Sequence, residues 1–449
     1  MVKKLLLILL LSWSSLTYAE TIKTDVLVIG GTASGVAAAV QSARSKVKTL
    51  LVMQGKTIDL GAFPDLPADI LDKLPSKDNY IVISNRNLPS GIWGEFRDRV
   101  RLFYKNTPGY DTTYNATLKF EKYTGEAILK GIADTVKNLS IKTNTTFTTI
   151  KKDGTGWEVS ITANGKTDLI KAKVVIDATL KNEVLAMSGA TLPPRFDPFN
   201  DNTGNLYRTS IAVADIAQKP KGWDTDGYLS IPYGIPMKYA IVTNADNLLV
   251  TNSITWLDAV FYMPIQLNVG QGVGCIAAYC AFFKTTTKNL RPRLIQQELL
   301  DYKGYLLPFA DVKRDDKYIR AVQQIGATGL LKGIHKGNEL LFMPDAQVTT
   351  AEINPVLTEI YSRAFLWFDK EKPGEKFTVG NTLSLISEFT LTEPDNLQTT
   401  LQRDWQTKYQ FSTPFNRERP ITRLEFAVLV NSFLNPFARK IDMAGNMIN

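Results

Sequence analysis

The 449-residue sequence contains one histidine, His335, and two cysteines, Cys275 and Cys280. With so few imidazoles and thiols, a zinc site of several His or Cys ligands cannot be assembled, and we expect no metal site. A Ser-His-Asp triad would have to draw on His335, which falls in the glycine-rich stretch KGIHKGNE and reads as a loop residue. The cysteines sit in one predicted helix with an axial separation of about 7.5 Å. They point in different directions, which disfavours a disulfide and makes them core residues. If the chain is an enzyme, a bound organic cofactor carries the difficult chemistry.

An apolar run long enough to span a bilayer is also missing from the N-terminus. Leu5 to Leu11 falls well short of the ~20 residues required. It follows Lys3 and Lys4 and precedes small residues at Thr17 and Ala19, the pattern of a secretory signal over residues 1–19 cleaved after Ala19. No cysteine stands near that point to take a lipid. The expectation is a secreted or periplasmic protein with no transmembrane anchor. The formal charge of +8 includes the two lysines of the signal and is spread among acids; Arg97 to Lys105 reads as a solvated helix face, and no nucleic-acid partner is expected. A hydrophobic share of 44% is ample for buried cores in two or three domains.

Against these absences stands DVLVIGGTASGVAAAVQSAR, residues 25–44. Asp25 to Ile29 has the continuous apolar character of a buried parallel strand, and Ser34 to Arg44 has helical spacing. The turn between them, Gly30, Gly31, Thr32 and Ala33, leads into Ser34 and Gly35. Glycine lets backbone approach a pyrophosphate, the helix N-terminus offers free N–H groups, and Gly35 lets helix and strand pack closely. Thr32 stands where the second glycine of G-x-G-x-x-G is usual; its N–H can still face phosphate while its Cβ narrows the approach. Lys48 to Met53 completes a βαβ unit, and Gln54 follows where an acidic residue commonly meets a ribose.

Residues 139–177 read as a β-meander with turns at Asp153-Gly154 and Asn164-Gly165, ending in the strand KVVIDAT. The strand NLLVT and then VGQGVGCIAAYCAFF, a glycine turn opening an apolar helix, come later. One βαβ unit followed by a meander and a late helix fits a simple NAD(P)-dependent dehydrogenase poorly.

Taken in order, DVLVIGGTASGVAAA, SGIWGEFRDRV, AKVVIDATLKNEVLAMSGA and YLSIPYGIP with NLLVTNS and GQGVGCIAA resemble the exported bacterial FAD-dependent oxidoreductases of the glutathione-reductase-like class, over residues 24 to about 284. The resemblance implies a Rossmann-like α/β domain with FAD as cofactor. It implies a pyrophosphate at Gly30–Gly35, with Asp177, Ala178 and Thr179 along the cofactor. The helix beginning near Gly270, Gln271 and Gly272 would aim its positive end at the isoalloxazine. The chain departs from the family at Gln54 (usually Glu), Ala62 and Leu180 (usually Gly) and Asn252-Ser253 (usually Gly-Arg). Arg97, Tyr233 and Gln271 lie in the matching motifs, yet a surface or ion-pair residue, a packing aromatic and a cap explain them equally, so no catalytic residue is assigned.

Residues 286–449 are richer in helix-forming segments. Within about 305–365, an F-x-D opening at Phe309 and Asp311, a Gly-rich turn, F-x-P-D ending at Asp345, and Thr349 with Glu352 resemble an S-layer-homology module; Thr422 and Glu425 repeat the last spacing. We therefore expect a signal peptide (1–19), an FAD-binding domain (20–285) and a mainly helical domain (286–449). The function expected is hydride transfer between flavin and a small organic substrate, carbohydrate-derived compounds included, with an envelope polymer as a further partner. The rival reading is a scaffold whose catalysis has lapsed.

Overall fold

The computed structural model of the protein describes residues 21–61, 80–83, 88–114, 116–197, 204–218, 229–252 and 262–448. The expected signal peptide, Ala62 and Ser253 lie outside these residues. β1 (Thr21–Ile29), α1 (Ala33–Arg44) and β2 (Thr49–Val52) form the expected βαβ unit. There follow β3 (Tyr80–Ile83), α2 (Gly91–Tyr104), β4 (Leu118–Glu121), α3 (Lys122–Asp134), β5 (Leu139–Lys142), and the meander β6 (Thr146–Asp153), β7 (Gly156–Ala163) and β8 (Lys166–Asp177). Both meander turns fall where the sequence places them, with Gly154, Asn164 and Gly165 in left-handed conformations.

After α4 (Glu183–Ser188) come the hairpin β9 (Ser210–Gln218) and β10 (Leu229–Pro236), then β11 (Leu248–Val250) and α5 (Met263–Phe283). The main sheet runs β5-β2-β1-β8 in parallel pairing. β8 serves two partners along one edge: its first half pairs antiparallel with β7, and its last residues pair parallel with β11. The meander therefore grows out of a strand of the nucleotide-binding sheet. Because Ile29 and Val250 both register with Asp177, three strands end level, and the loops after them meet at the carboxyl end of the sheet.

The structure corrects the expected helix start near Gly270. α5 begins at Met263 with Pro264 in its first turn, so Gly270, Gln271 and Gly272 lie about two turns inside it. The glycines are there for packing. A Cβ at Gly270 would lie 2.1 Å from the Ser34 carbonyl oxygen, and one at Gly274 would lie 2.6 Å from that of Ala38, so α1 and α5 cross backbone against backbone. Cys275 and Cys280 are buried, unpaired thiols of α5, as expected.

The C-terminal part contains α6 (Pro292–Asp301), α7 (Ile319–Thr328), the hairpin β12 (Ile334–Lys336) and β13 (Glu339–Leu341), then α8 (Thr350–Ile360), α9 (Ala364–Glu371), α10 (Val379–Thr390), α11 (Pro394–Thr407) and α12 (Arg423–Phe433). His335 is thus an exposed strand residue and not a loop residue, because Gly337 in a left-handed turn folds the segment back on itself. Asp311 joins the two halves of its motif: its carboxylate accepts the Phe342 and Met343 N–H groups at 2.7 and 2.6 Å.

The sequence suggested two related copies here, and the structure has three related elements. The N–H of Val348 donates to Ile421 C=O, Ile421 N–H to Phe377 C=O, and Phe377 N–H to Val348 C=O, closing a ring of three backbone hydrogen bonds. All three side chains are buried, and each is followed by a threonine, Thr349, Thr422 or Thr378, whose hydroxyl caps α8, α12 or α10. The third copy escapes a Thr-x-x-Glu search because Asn381 completes its capping box.

One hydrophobic core runs from α1 and α5 through α7 to α12, and a smaller one lies between the sheet and the meander. Gly270→Val should lower unfolding free energy by about 3 kcal/mol, because backbone cannot yield to the new side chain; chemical denaturation of the full chain measures it. Thr378→Ala should cost about 1 kcal/mol, the usual value of an N-cap, in the same assay.

Candidate functional site

The turn after β1 is shaped by close approach. Gly30 has φ +127, and a Cβ there would lie 2.3 Å from the Ala178 carbonyl oxygen, so a side chain is excluded on both counts. Thr32 caps α1: its hydroxyl accepts the Gly35 N–H at 3.1 Å and donates to Ala178 C=O at 3.0 Å. Ala33 N–H donates to Asp59 C=O, and Asp59 N–H to Gly31 C=O, both at 2.8 Å, which zips the segment after β2 onto the turn. Among the described residues the N–H groups of Gly31, Thr32 and Ser34 have no partner. These donors at a helix N-terminus are suited to an anion.

Asp177 is buried. One carboxylate oxygen accepts from Thr179 N–H and hydroxyl at 2.9 and 2.6 Å, and the other from Leu185 N–H at 2.8 Å. Burial raises its pKa, opposed by these hydrogen bonds. Asp177 therefore shapes the 178–182 turn and the start of α4 from inside. Leu180, in the position of a family glycine, is exposed. Asn252, in the position of another, is 6% exposed and bridges the loops: its amide nitrogen donates to Ala178 and Thr179 C=O at 2.9 and 3.0 Å, and its amide oxygen accepts the Ser34 hydroxyl at 2.9 Å. Ser34 Oγ also meets Thr251 Oγ1 at 2.9 Å. The gap between the start of α1 and the 178–179 turn is filled by this network.

These residues permit a definite test for a dinucleotide. Of the three N–H groups only that of Gly31 belongs to a half-buried residue, Thr32 and Ser34 being buried, so Gly31 and the exposed Gln54 at the end of β2 are the groups open to a pyrophosphate and a ribose hydroxyl. Between α1 and the 178–179 backbone, Asn252 occupies the space.

Of the other candidates, Gly270 packs on the Ser34 carbonyl, and the rest make contacts outside this turn. Gln271, inside α5, accepts Ile92 N–H at 2.9 Å and donates to Gln41 Oε1 and Tyr302 C=O at 3.0 and 3.3 Å. It is a cap, as one sequence reading had it, but for α2. Gly272 packs on the Ile211 carbonyl. Arg97 corrects the reading of a solvated helix face: it is 2% exposed, donates to Tyr114 C=O at 3.0 Å, and lies 5.8 Å from the Trp93 and Tyr114 ring centres. Burial, with Arg101 beside it, pushes its pKa down to about 10, so it stays charged at neutral pH. Tyr233 is a packing aromatic, tilted against Phe196 at 5.6 Å, with its phenol pKa raised by burial.

In front of Arg97 lies a cavity of about 330 Å³, lined also by Asp215, Tyr305, Lys313 and Glu339. Sequence reasoning did not single out these four, because they come from separate stretches with no shared motif.

The level strand ends and glycine turn define a Rossmann-like α/β protein. Residues 25–193, from β1 to just beyond α4, match the profile of the FAD dependent oxidoreductase family. The match spans well under half of the chain and supports FAD as the cofactor. No curated protein matches the chain. Similar solved structures include bacillithiol disulfide reductase from Staphylococcus aureus (15% identity, 35% of this chain and 38% of that one, TM-score 0.22). Others are p-nitrophenol 4-monooxygenase from Pseudomonas putida (13%, 63% and 85%, 0.33) and anhydrotetracycline hydroxylase from Streptomyces rimosus (11%, 68% and 69%, 0.36). The chain thus spans under two fifths of the length of the reductase.

Asn252→Ala should lower stability by about 2 kcal/mol, since it strips a buried amide from two carbonyls and the Ser34 hydroxyl. A shift in the denaturation midpoint at unchanged slope measures this.

Proposed function

We propose that the protein is an exported FAD-dependent oxidoreductase acting on a small organic substrate, with carbohydrate-derived compounds the class to screen first. The observation that carries this reading is the glycine turn at the start of α1, whose Gly31, Thr32 and Ser34 N–H groups have no partner among the described residues, placed where β1, β8 and β11 end level. Those groups would hold the pyrophosphate, and Gln54 the adenosine ribose. When bound, FAD supplies a hydride acceptor or donor. The chain's own contribution is the positive end of α1 under the phosphates and a polar cavity beside Arg97 for the second reactant. The signal-like residues 1–19 support export, and among the described residues no helix is long and apolar enough to cross a membrane.

Visible flavin absorption that bleaches on reduction is the expected result for purified protein supplied with FAD. Gly31→Asp should weaken FAD binding about 100-fold (roughly 2.8 kcal/mol) by setting a carboxylate against the pyrophosphate. Unchanged flavin occupancy in that variant would refute this placement.

The Asn252 bridge favours a second reading, a flavoprotein fold that has lost its cofactor and serves as a scaffold. On that reading the natural protein stays colourless with excess FAD while Asn252→Gly takes up flavin. In either case we propose a hydroxyl-rich envelope polymer as partner of the C-terminal part, supported by the polar groove lined by Asn381, Ser384, Gln398 and Arg417. Its test is binding of purified envelope polysaccharide, lost in Arg417→Ala.

A further inference from the structure

The cavity in front of Arg97 is built by both parts of the chain. Arg97 of α2 and the nearby Tyr114 form one wall, Asp215 of β9 and Pro232 of β10 a second, and the 305–313 stretch with the β12–β13 turn the third. About 330 Å³ is room for a small molecule. Arg97 and Tyr305 are buried within it, at 2% and 3% exposure, while Lys313 and Glu339 are exposed.

Two observations indicate what it takes. First, the Tyr305 hydroxyl is buried with no hydrogen-bond partner among the described residues. Leaving such a group unsatisfied costs about 1–3 kcal/mol, so it calls for an acceptor. Second, two cations, Arg97 and Lys313, line the cavity with it, across from the two carboxylates Asp215 and Glu339. Arg97 and Arg101 both donate to the single carbonyl of Tyr114, at 3.0 and 2.8 Å, and Arg314 is paired with Asp98 at 2.6 Å. Burial raises the pKa of the Tyr305 phenol, with Tyr114 and Asp315 adding to the rise and Arg314 and Arg97 opposing it. A planar monoanion suits a guanidinium, an ammonium and a phenol together. A doubly charged phosphate suits the cavity less well, because Asp215 and Glu339 also line it. Those carboxylates accept hydrogen bonds from hydroxyl groups.

We propose that this cavity binds a small hydroxylated carboxylic acid, with its carboxylate on Arg97, Lys313 and the Tyr305 hydroxyl and its own hydroxyls on Asp215 and Glu339. The binding claim stands on the cavity alone; only the role of the ligand as a substrate rests on the function proposed above. The C-terminal part, through Tyr305, Lys313 and Glu339, then completes a small-molecule site in addition to any envelope contact.

Ligand-observed NMR on the full-length protein tests this with D-gluconate and glycerate against their neutral counterparts D-glucose and glycerol. The acids should bind at least about tenfold more tightly than the neutral compounds. Lys313→Met and Tyr305→Phe should each weaken the acids several-fold, and Tyr305→Phe should do so with no loss of thermal stability, since its hydroxyl has no partner to lose. Arg97→Met should abolish binding; if it fails to fold, the other two variants decide. The proposal is overturned if neither acid binds, if the neutral compounds bind equally, or if both Lys313→Met and Tyr305→Phe leave affinity unchanged. Colourless protein that binds gluconate would sink the flavoenzyme reading and leave this one standing; flavin-loaded protein that binds neither acid would do the reverse.

Discussion

Backbone-to-backbone crossing of α1 and α5 sets the positions on which the rest of this molecule depends. Helices usually pack 8–10 Å apart, separated by side chains. Here Gly270 and Gly274 bring the α5 backbone against the carbonyls of Ser34 and Ala38, and Ser42 adds a hydroxyl bond to Gly274 C=O at 3.1 Å. The consequences extend outward from that contact. α5 is held deep in the core, Gln271 reaches the start of α2, and α2 in turn carries Arg97 to the wall of the cavity. A glycine motif that reads as a cofactor loop is in this chain a packing device for the element that orients the site.

The carboxyl end of the sheet shows two demands on the same few atoms. The turn after β1 leaves three N–H groups without a partner among the described residues, two of them on buried residues, while Thr32, Ser34, Thr251 and Asn252 tie the surrounding loops to one another. Thr32 is reconciled with both, since its hydroxyl caps α1 and its N–H remains free. Asn252 is not neutral in the same way: a side chain replaces space, and its two carbonyl bonds make that replacement stable.

The C-terminal part is organised by a different logic. Three strand-like segments meet in a closed ring of backbone hydrogen bonds, and a capped helix leaves each one. Arg208, buried in the flavoprotein-like part, joins it through a bidentate pair with Glu359 at 2.7 Å. Nearer the cavity, Tyr305 N–H donates to the Ser90 hydroxyl at 2.9 Å and Arg314 pairs with Asp98 at 2.6 Å, ties that hold the 305–313 wall against α2 so that the two parts of the chain share one hollow.

Local patterns were legible in the sequence. The βαβ unit, the meander turns, the two core thiols and the caps at Thr349 and Thr422 each depend on residues within a few positions of one another, so periodicity, turn chemistry and capping spacing suffice to find them. Tertiary structure alone decided where α5 starts, that Arg97 is buried, that Thr378 heads a third related element, and that Tyr305 and Lys313 face Arg97. Those facts depend on backbone approaches and cavities formed by residues up to some two hundred positions apart, and no short-range pattern encodes such a distance. The sequence by itself determined the βαβ unit and the meander and pointed to the class of cofactor; packing decided where the later elements begin, which gap was filled and which charges met.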